Sequence, residues 1–243
     1  MDEQLKKTNP WNELTMGDVK IATCDIPFFE KWAKKNSIEG SSYEEWVNTY
    51  AEKNEKVQLS FKCQPDPFGG NPDSKVYCLN LNPGMPNKDF EGNAEYVAAS
   101  NKNLHLEANN CFWTENIKIN GKPHPGDTWL RTCTKGLQDS LKNPHPDIFF
   151  IEYFPYHSTN GFYFPKHLPS YDFSDKLIKQ AMKDKKIIII LRGRRRWLDR
   201  IPELAKYEHL YVLLINRDIK IAPEYIVPYK PMSEGEIKKY FTI

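Results

Sequence analysis

Residues 75–84 read KVYCLNLNPG, and the fold follows from how that stretch divides. Its first seven residues make a near-continuous run of apolar, β-branched and aromatic side chains, the pattern of a parallel strand covered on both faces. Asn82-Pro83-Gly84 then breaks the run, because proline sets its own φ and glycine supplies a positive one. Residues 147–153 (DIFFIEY), 186–191 (KIIIIL) and 210–215 (LYVLLI) repeat the pattern. The segments between them are helical in character. Residues 127–142 space Trp129, Thr132, Cys133, Leu137 and Leu141 along one face. Residues 174–185 open on Ser174 as a cap and space Leu177, Ile178, Ala181 and Met182 at helical intervals. Residues 195–207 form a third candidate, interrupted by Pro202. Strands alternating with helices predict right-handed crossovers and a three-layer α/β/α fold around a central four-stranded parallel sheet.

Upstream, residues 27–35 and 43–54 read as amphipathic helices, with Phe28, Phe29 and Trp32, then Trp46, Val47 and Tyr50, as their apolar faces. Residues 1–60 are therefore expected as a helical cap packed on an α/β domain of residues 61–243. The irregular stretch is 64–74 (QPDPFGGNPDS), dense in proline and glycine.

Composition narrows the functional classes. The chain has 243 residues, 40% hydrophobic and 27% charged, which suits one large domain and excludes collagen-like, wholly disordered and disulfide-dense chains. Its longest aliphatic run, 187–191, falls far short of the ~20 residues of a membrane span. The formal net charge is +2, so any anion-binding surface must be local. Five cysteines without a C-x-x-C pair give no zinc or disulfide framework. The opening MDEQLKKTNP has no apolar core of a signal peptide. These features lead us to expect a cytoplasmic, membrane-free monomer with no metal and no cofactor.

In an open α/β sheet, ligands bind beyond the carboxyl ends of the strands. Residues 80–84, 154–158, 192–197 and 216–218 are predicted to meet at that edge. Each has two readings. Asn82-Pro83-Gly84 is a turn, or a loop whose Asn82 amide orients water or substrate while Pro83 and Gly84 bring backbone close to a ligand. His157 is a hydrogen-bonded structural residue or a catalyst, and neighbouring Tyr156 is a pocket candidate. Arg192, Arg194 and Arg195 are a solvated face or phosphate contacts. Glu152, inside an apolar strand, needs a partner, for which Arg192 or Arg194 are candidates. The other histidines show no metal-ligand spacing, and phosphate-loop, dinucleotide and nucleophile-elbow motifs are absent.

The stretch 76–84 (VYCLNLNPG) resembles motif one of the uracil-DNA glycosylase superfamily, in particular its single-strand-selective and mismatch-specific branches. In those branches a first strand ends in G-x-N-P-G. Here Asn80 stands at the leading glycine and the Asn-Pro-Gly core matches. The resemblance covers roughly residues 65–223 and implies cleavage of an N-glycosidic bond after the base is flipped from the stack. It gives Asn82 the role of positioning water against C1′, and gives Asn216 that of stabilising charge on the departing base. Phe90 and Tyr96 are then candidates for stacking on that base. Ile219 and Ile221 would wedge into the duplex, with Arg217 and Lys220 near phosphates. Residues 216–218 (NRD) lack the proline and serine of the family's second loop. Glu152 replaces an asparagine that recognises uracil in some branches and suits a base offering donors, such as an amino group. The alternatives are a catalytically inactive protein of the same fold that binds nucleic acid, and a sensor or enzyme for a small nucleotide. Replacing Arg194 and Arg195 by alanine should weaken oligonucleotide binding and flatten the slope of log K against log salt by about 1–2. Titrations at several salt concentrations check this, and an unchanged slope removes the phosphate role.

Overall fold

All four apolar runs become strands. The computed structural model describes residues 3–15, 19–35, 59–85, 90, 92–159, 166–214 and 218–229. In chain order its strands are β1 (Leu59–Ser60), β2 (Phe68–Gly69), β3 (Val76–Asn80), β4 (Lys118–Ile119), β5 (Lys122–Pro123), β6 (Ile148–Glu152), β7 (His157–Ser158), β8 (Ile187–Ile190), β9 (Leu210–Leu213) and β10 (Ile226–Pro228). The helices are α1 (Glu3–Lys7), α2 (Ile26–Lys35), α3 (Ala94–Leu104), α4 (Pro125–Leu141), α5 (Tyr171–Lys183) and α6 (Arg194–Arg200).

The main sheet has the order β10-β9-β8-β3-β6-β2. Strands β9, β8, β3 and β6 run parallel, while β10 pairs antiparallel with β9 and β2 with β6. The expected purely parallel, four-stranded sheet is thus corrected to a mixed sheet of six. The two added edges are very short and lie beside prolines, where the sequence carries no alternation to announce them.

Side-chain alternation divides the core between the two faces. Tyr77, Leu79, Phe149, Ile151, Ile188 and Ile190 pack with Leu177, Ile178 and Ala181 of α5 and Trp197 of α6. Cys78, Ile148, Phe150, Ile189 and Leu191 pack with Leu130 and Cys133 of α4. Helices thus cover both faces, as continuous apolar strands require. Cys78, Cys111 and Cys133 lie together in the α4 half as unpaired thiols.

Helix α4 starts with Pro125, and the His124 ring caps it by accepting the Gly126 N–H through Nδ1 at 3.1 Å. Its buried face uses Leu130 and Thr134, whereas Leu141, predicted inside, is 56% exposed. Helix α5 starts at Tyr171 with its cap position at Ser170, four residues before the predicted cap, so Ser174 is an interior buried residue. Ser170 holds the cap position, but its hydroxyl donates to Asp25 instead of capping. Pro202 ends the third predicted helix and opens a 3₁₀ turn, Pro202–Lys206.

The N-terminal segment is welded to the α5 side. Trp11, Val19, Ile21, Ala22 and Phe29 enter the larger core cluster. Tyr156, expected in the pocket, is corrected to this junction. Its ring packs on Trp11, Phe29, Phe61 and Phe154, its hydroxyl donates to Asp25 Oδ2 at 2.7 Å, and it accepts the Ala22 N–H. Asp25 also accepts from the Ser170 N–H. The predicted helix over 43–54 lies outside the described residues.

Ile219 and Ile221, expected as an exposed wedge, are corrected to core residues against α4. The Ile221 N–H donates to the Cys133 carbonyl, and the next residue, Ala222, approaches Gly136 so closely that a Cβ at Gly136 would stand 2.5 Å from that of Ala222. Gly136→Ala should therefore force the segment off the helix and destabilise the protein by about 1–3 kcal/mol, measured by urea unfolding.

Candidate functional site

The strands β3 and β8 are neighbours, yet α4, which leads from the β3 side into β6, and α6, which leads from β8 into β9, pack on opposite faces of the sheet. Beyond their carboxyl ends the diverging chains leave a crevice, the position where open α/β sheets hold ligands. A cavity of about 460 Å³ occupies it, within the roughly 300–1,000 Å³ usual for ligand sites. The sheet supplies Asn80, Phe150 and Glu152, and β2 with the chain before it supplies Asp66 and Phe68. Trp113 and His124 precede α4, and Trp129 lies in its first turns. Asn82, Pro83, Gly84, His157 and Arg192 complete the lining.

Hydrogen bonds fix the Asn-Pro-Gly loop. The Asn82 Nδ2 amide donates to the Ser158 carbonyl and hydroxyl, each at 2.9 Å, and to the Pro83 carbonyl. Those bonds use the amide nitrogen and none of them engages Oδ1. His157 stands between two carbonyl oxygens, Gly84 O at 2.7 Å from Nδ1 and Gln64 O at 3.0 Å from Nε2. Burial holds its pKa below the ordinary value, opposed by those two carbonyls. The expected catalyst is thus corrected to a buried residue lodged between two backbone acceptors, to one of which the neutral ring donates its single N–H.

The floor of the cavity comes from strand register. Asn80 of β3 pairs with Glu152 of β6, and the Asn80 Nδ2 amide donates to Glu152 Oε1 at 2.9 Å. Neither expected arginine takes that place. Asn80 Oδ1 and Glu152 Oε2 are both buried without a hydrogen-bond partner among the described residues. Burial pushes the Glu152 carboxyl from 4.5 up to about 8. The Asn80 amide pulls against this rise, Asp66 adds to it and Arg192 opposes it. Burial likewise raises Asp66 from 3.8 to about 7. His124 is lowered from 6.5 to about 4, by burial first and then by nearby His157. Since its Nδ1 accepts from Gly126, its proton sits on Nε2, which is buried and has no partner.

Phe90 and Tyr96 do not face the cavity. Both are 1% exposed and form a layer behind it, with Tyr96 stacked on His124 at 4.9 Å and tilted on Trp113 at 5.9 Å. Phe90 packs against His124 and lines a neighbouring cavity. The aromatic residues of the α4 side that line it are instead Trp113, Trp129 and Phe150, while the ring of Phe68 packs on Phe149 and Phe173 across the sheet. Arg195 projects into solvent beside Asp199, and Arg194 is half-buried; neither lines the cavity, whereas Arg192 does. Lys220 is exposed between the two buried isoleucines. Asn216 and Arg217 lie outside the described residues.

Asp66, His124, Trp113 and Trp129 were not foreseen from the sequence. The one available signal was the density of proline and glycine around Asp66, which marks an irregular chain that can turn a carboxyl inward. Among the described residues no cluster of three or more His, Cys, Asp or Glu side chains is arranged to hold a metal, and no helix is long and apolar enough to cross a membrane. Compared with protein-family models, curated proteins and solved structures, the chain has no significant match in any of the three.

The raised carboxyl has a stability signature. In the unfolded chain Glu152 ionises near 4.5, whereas the folded protein keeps its proton to about 8, so folding loses free energy as pH rises through that window. Glu152→Gln has no proton to lose. It should gain stability relative to the parent protein by roughly 2–4 kcal/mol between pH 5 and pH 8, measured by urea unfolding at both.

Proposed function

We propose that this protein hydrolyses the N-glycosidic bond of a nucleobase in nucleic acid, the reaction implied by the resemblance of residues 76–84 to the uracil-DNA glycosylase superfamily. The observation that carries the reading is the meeting of Asn82 with two carboxyl groups, Asp66 and Glu152, in one aromatic-walled cavity at the carboxyl edge of the sheet. Aromatic walls suit a flat heterocycle flipped out of its stack, and stacking offsets the few kcal/mol that flipping costs.

In this reading the locked Asn82 amide accepts a hydrogen bond from water through Oδ1 and holds it against C1′. Asp66, with its pKa near 7, is matched to taking a proton from that water near neutral pH. The bond from C1′ to the base nitrogen breaks as the water oxygen adds, and its electron pair leaves with the base. The two carboxyls divide the labour as unequal pairs do, the lower-pKa group acting as base and the higher remaining protonated. Arg192 at the lining, with half-buried Arg194 and exposed Arg195 beyond it, supplies positive charge for the flanking phosphates.

A panel of oligonucleotides, each carrying one modified or mismatched base, tests the proposal by release of free base. Asn82→Ala and Asp66→Asn should each lower release by about a hundredfold or more while the variants remain cooperatively folded. Oligonucleotide binding without release from any member of the panel would sink hydrolysis in favour of a binding protein.

A further inference from the structure

Two buried oxygens at the sheet end of the cavity have no partner, Asn80 Oδ1 and Glu152 Oε2. Asn80 itself is only 4% exposed. Buried polar atoms are almost always bonded, so two adjacent exceptions facing a cavity call for a ligand. The Asn80-to-Glu152 hydrogen bond tells the two carboxyl oxygens apart. Oε1 accepts the amide N–H and is the carbonyl oxygen, so a neutral Glu152 carries its proton on Oε2. The cavity then offers an O–H donor beside a C=O acceptor. Burial favours that neutral form.

The complement is a ligand edge with an acceptor beside a donor. Nucleobases offer two such edges. One is the amidine edge of adenine or cytosine, a ring nitrogen next to an amino group. The other is the lactam edge of uracil or hypoxanthine, a carbonyl next to a ring N–H. Only the amidine ring nitrogen is basic enough to receive a proton from a carboxylic acid. Positive charge on the base is favoured by a second acid, Asp66, and by the aromatic residues Trp113, Trp129 and Phe150, and is opposed by Arg192 at the same lining. His124 nearby is held neutral.

Building on the glycosidic reading above, we propose that Asn80 and Glu152 read the amidine edge of an amino-bearing base, and that Glu152 hands its Oε2 proton to the ring nitrogen as the base departs. The C1′–N bond breaks with its electron pair going to the base, and the ring nitrogen takes the proton, leaving Glu152 ionised. The water oxygen bonds to C1′ and its proton passes to Asp66. Exchange with solvent then restores both carboxyls.

Calorimetric titration of the full chain with free adenine, cytosine, uracil and hypoxanthine tests the edge reading. Adenine or cytosine should bind about tenfold or more tighter than the lactam bases. Glu152→Gln keeps a carbonyl for Asn80 and offers N–H in place of O–H, but has no proton to give. It should bind adenine and cytosine within about threefold of the parent, yet release base at least about a hundredfold more slowly from the panel. Glu152→Ala should lose both. Tighter binding of uracil and hypoxanthine, or undiminished release by the glutamine variant, overturns the proposal. If no oligonucleotide yields free base while the affinity order holds, the glycosidic reading and the proton step fall and the edge reading stands.

Discussion

Parallel pairing of β3 with β6, in one register, underlies every property of the cavity. It sets Asn80 opposite Glu152 on the α4 face of the sheet, where their side chains meet. A slip of one residue would bring Glu152 opposite Leu79, whose side chain belongs to the other face. The same pairing sinks a carboxyl beside Phe150, with Arg192 only partly offsetting the effect of burial, and an ionised carboxylate is costly to bury. The group keeps its proton instead. A fold with no metal-like cluster among its described residues thereby holds a carboxylic acid in neutral form close to physiological pH, the condition under which such a group can donate.

The surrounding chain holds this arrangement still through its carbonyl groups. At the end of β3 the Asn80 carbonyl accepts from the Trp197 indole N–H at 2.8 Å and from the Tyr153 N–H. The Asn82 amide is held on Ser158, and the His157 ring, standing between the carbonyls of Gly84 and Gln64, donates its one N–H to one of them. Each bond contributes about 1 kcal/mol net, so their worth lies in direction more than strength. They leave the loop one orientation in which to meet a ligand.

The strands were legible because four apolar runs carry their own signal, and the carboxyl edge followed from their alternation with helices. Asn82 and Glu152 were legible for the same reason, standing at the ends of those runs. What could not be read was which segment closes over the edge. Asp66 comes from an irregular stretch, and Trp113 and His124 from a connection whose path depends on tertiary packing. Phe90, Tyr96 and Tyr156 were mistaken for pocket residues because spacing shows that a ring is near a motif but not which side it faces. All three are interior, Phe90 and Tyr96 behind His124 and Tyr156 across the sheet on Asp25. Ile219 and Ile221 were misread likewise, since an apolar residue beside a loop can wedge outward or pack inward, and here the open face of α4 received them.

In the α4 half lie the buried thiols of Cys78 and Cys133, beside Cys111 at the cavity lining, and burial pushes that of Cys111 up to about 12 and the other two well up as well. Alkylating reagents attack the thiolate and must reach the sulfur, so these side chains stay silent while the α4 half is shut. Their labelling rate is therefore a built-in clock for how often that layer lifts from the sheet. Anything that pins the layer down will slow the clock, whether or not it is ever chemically changed.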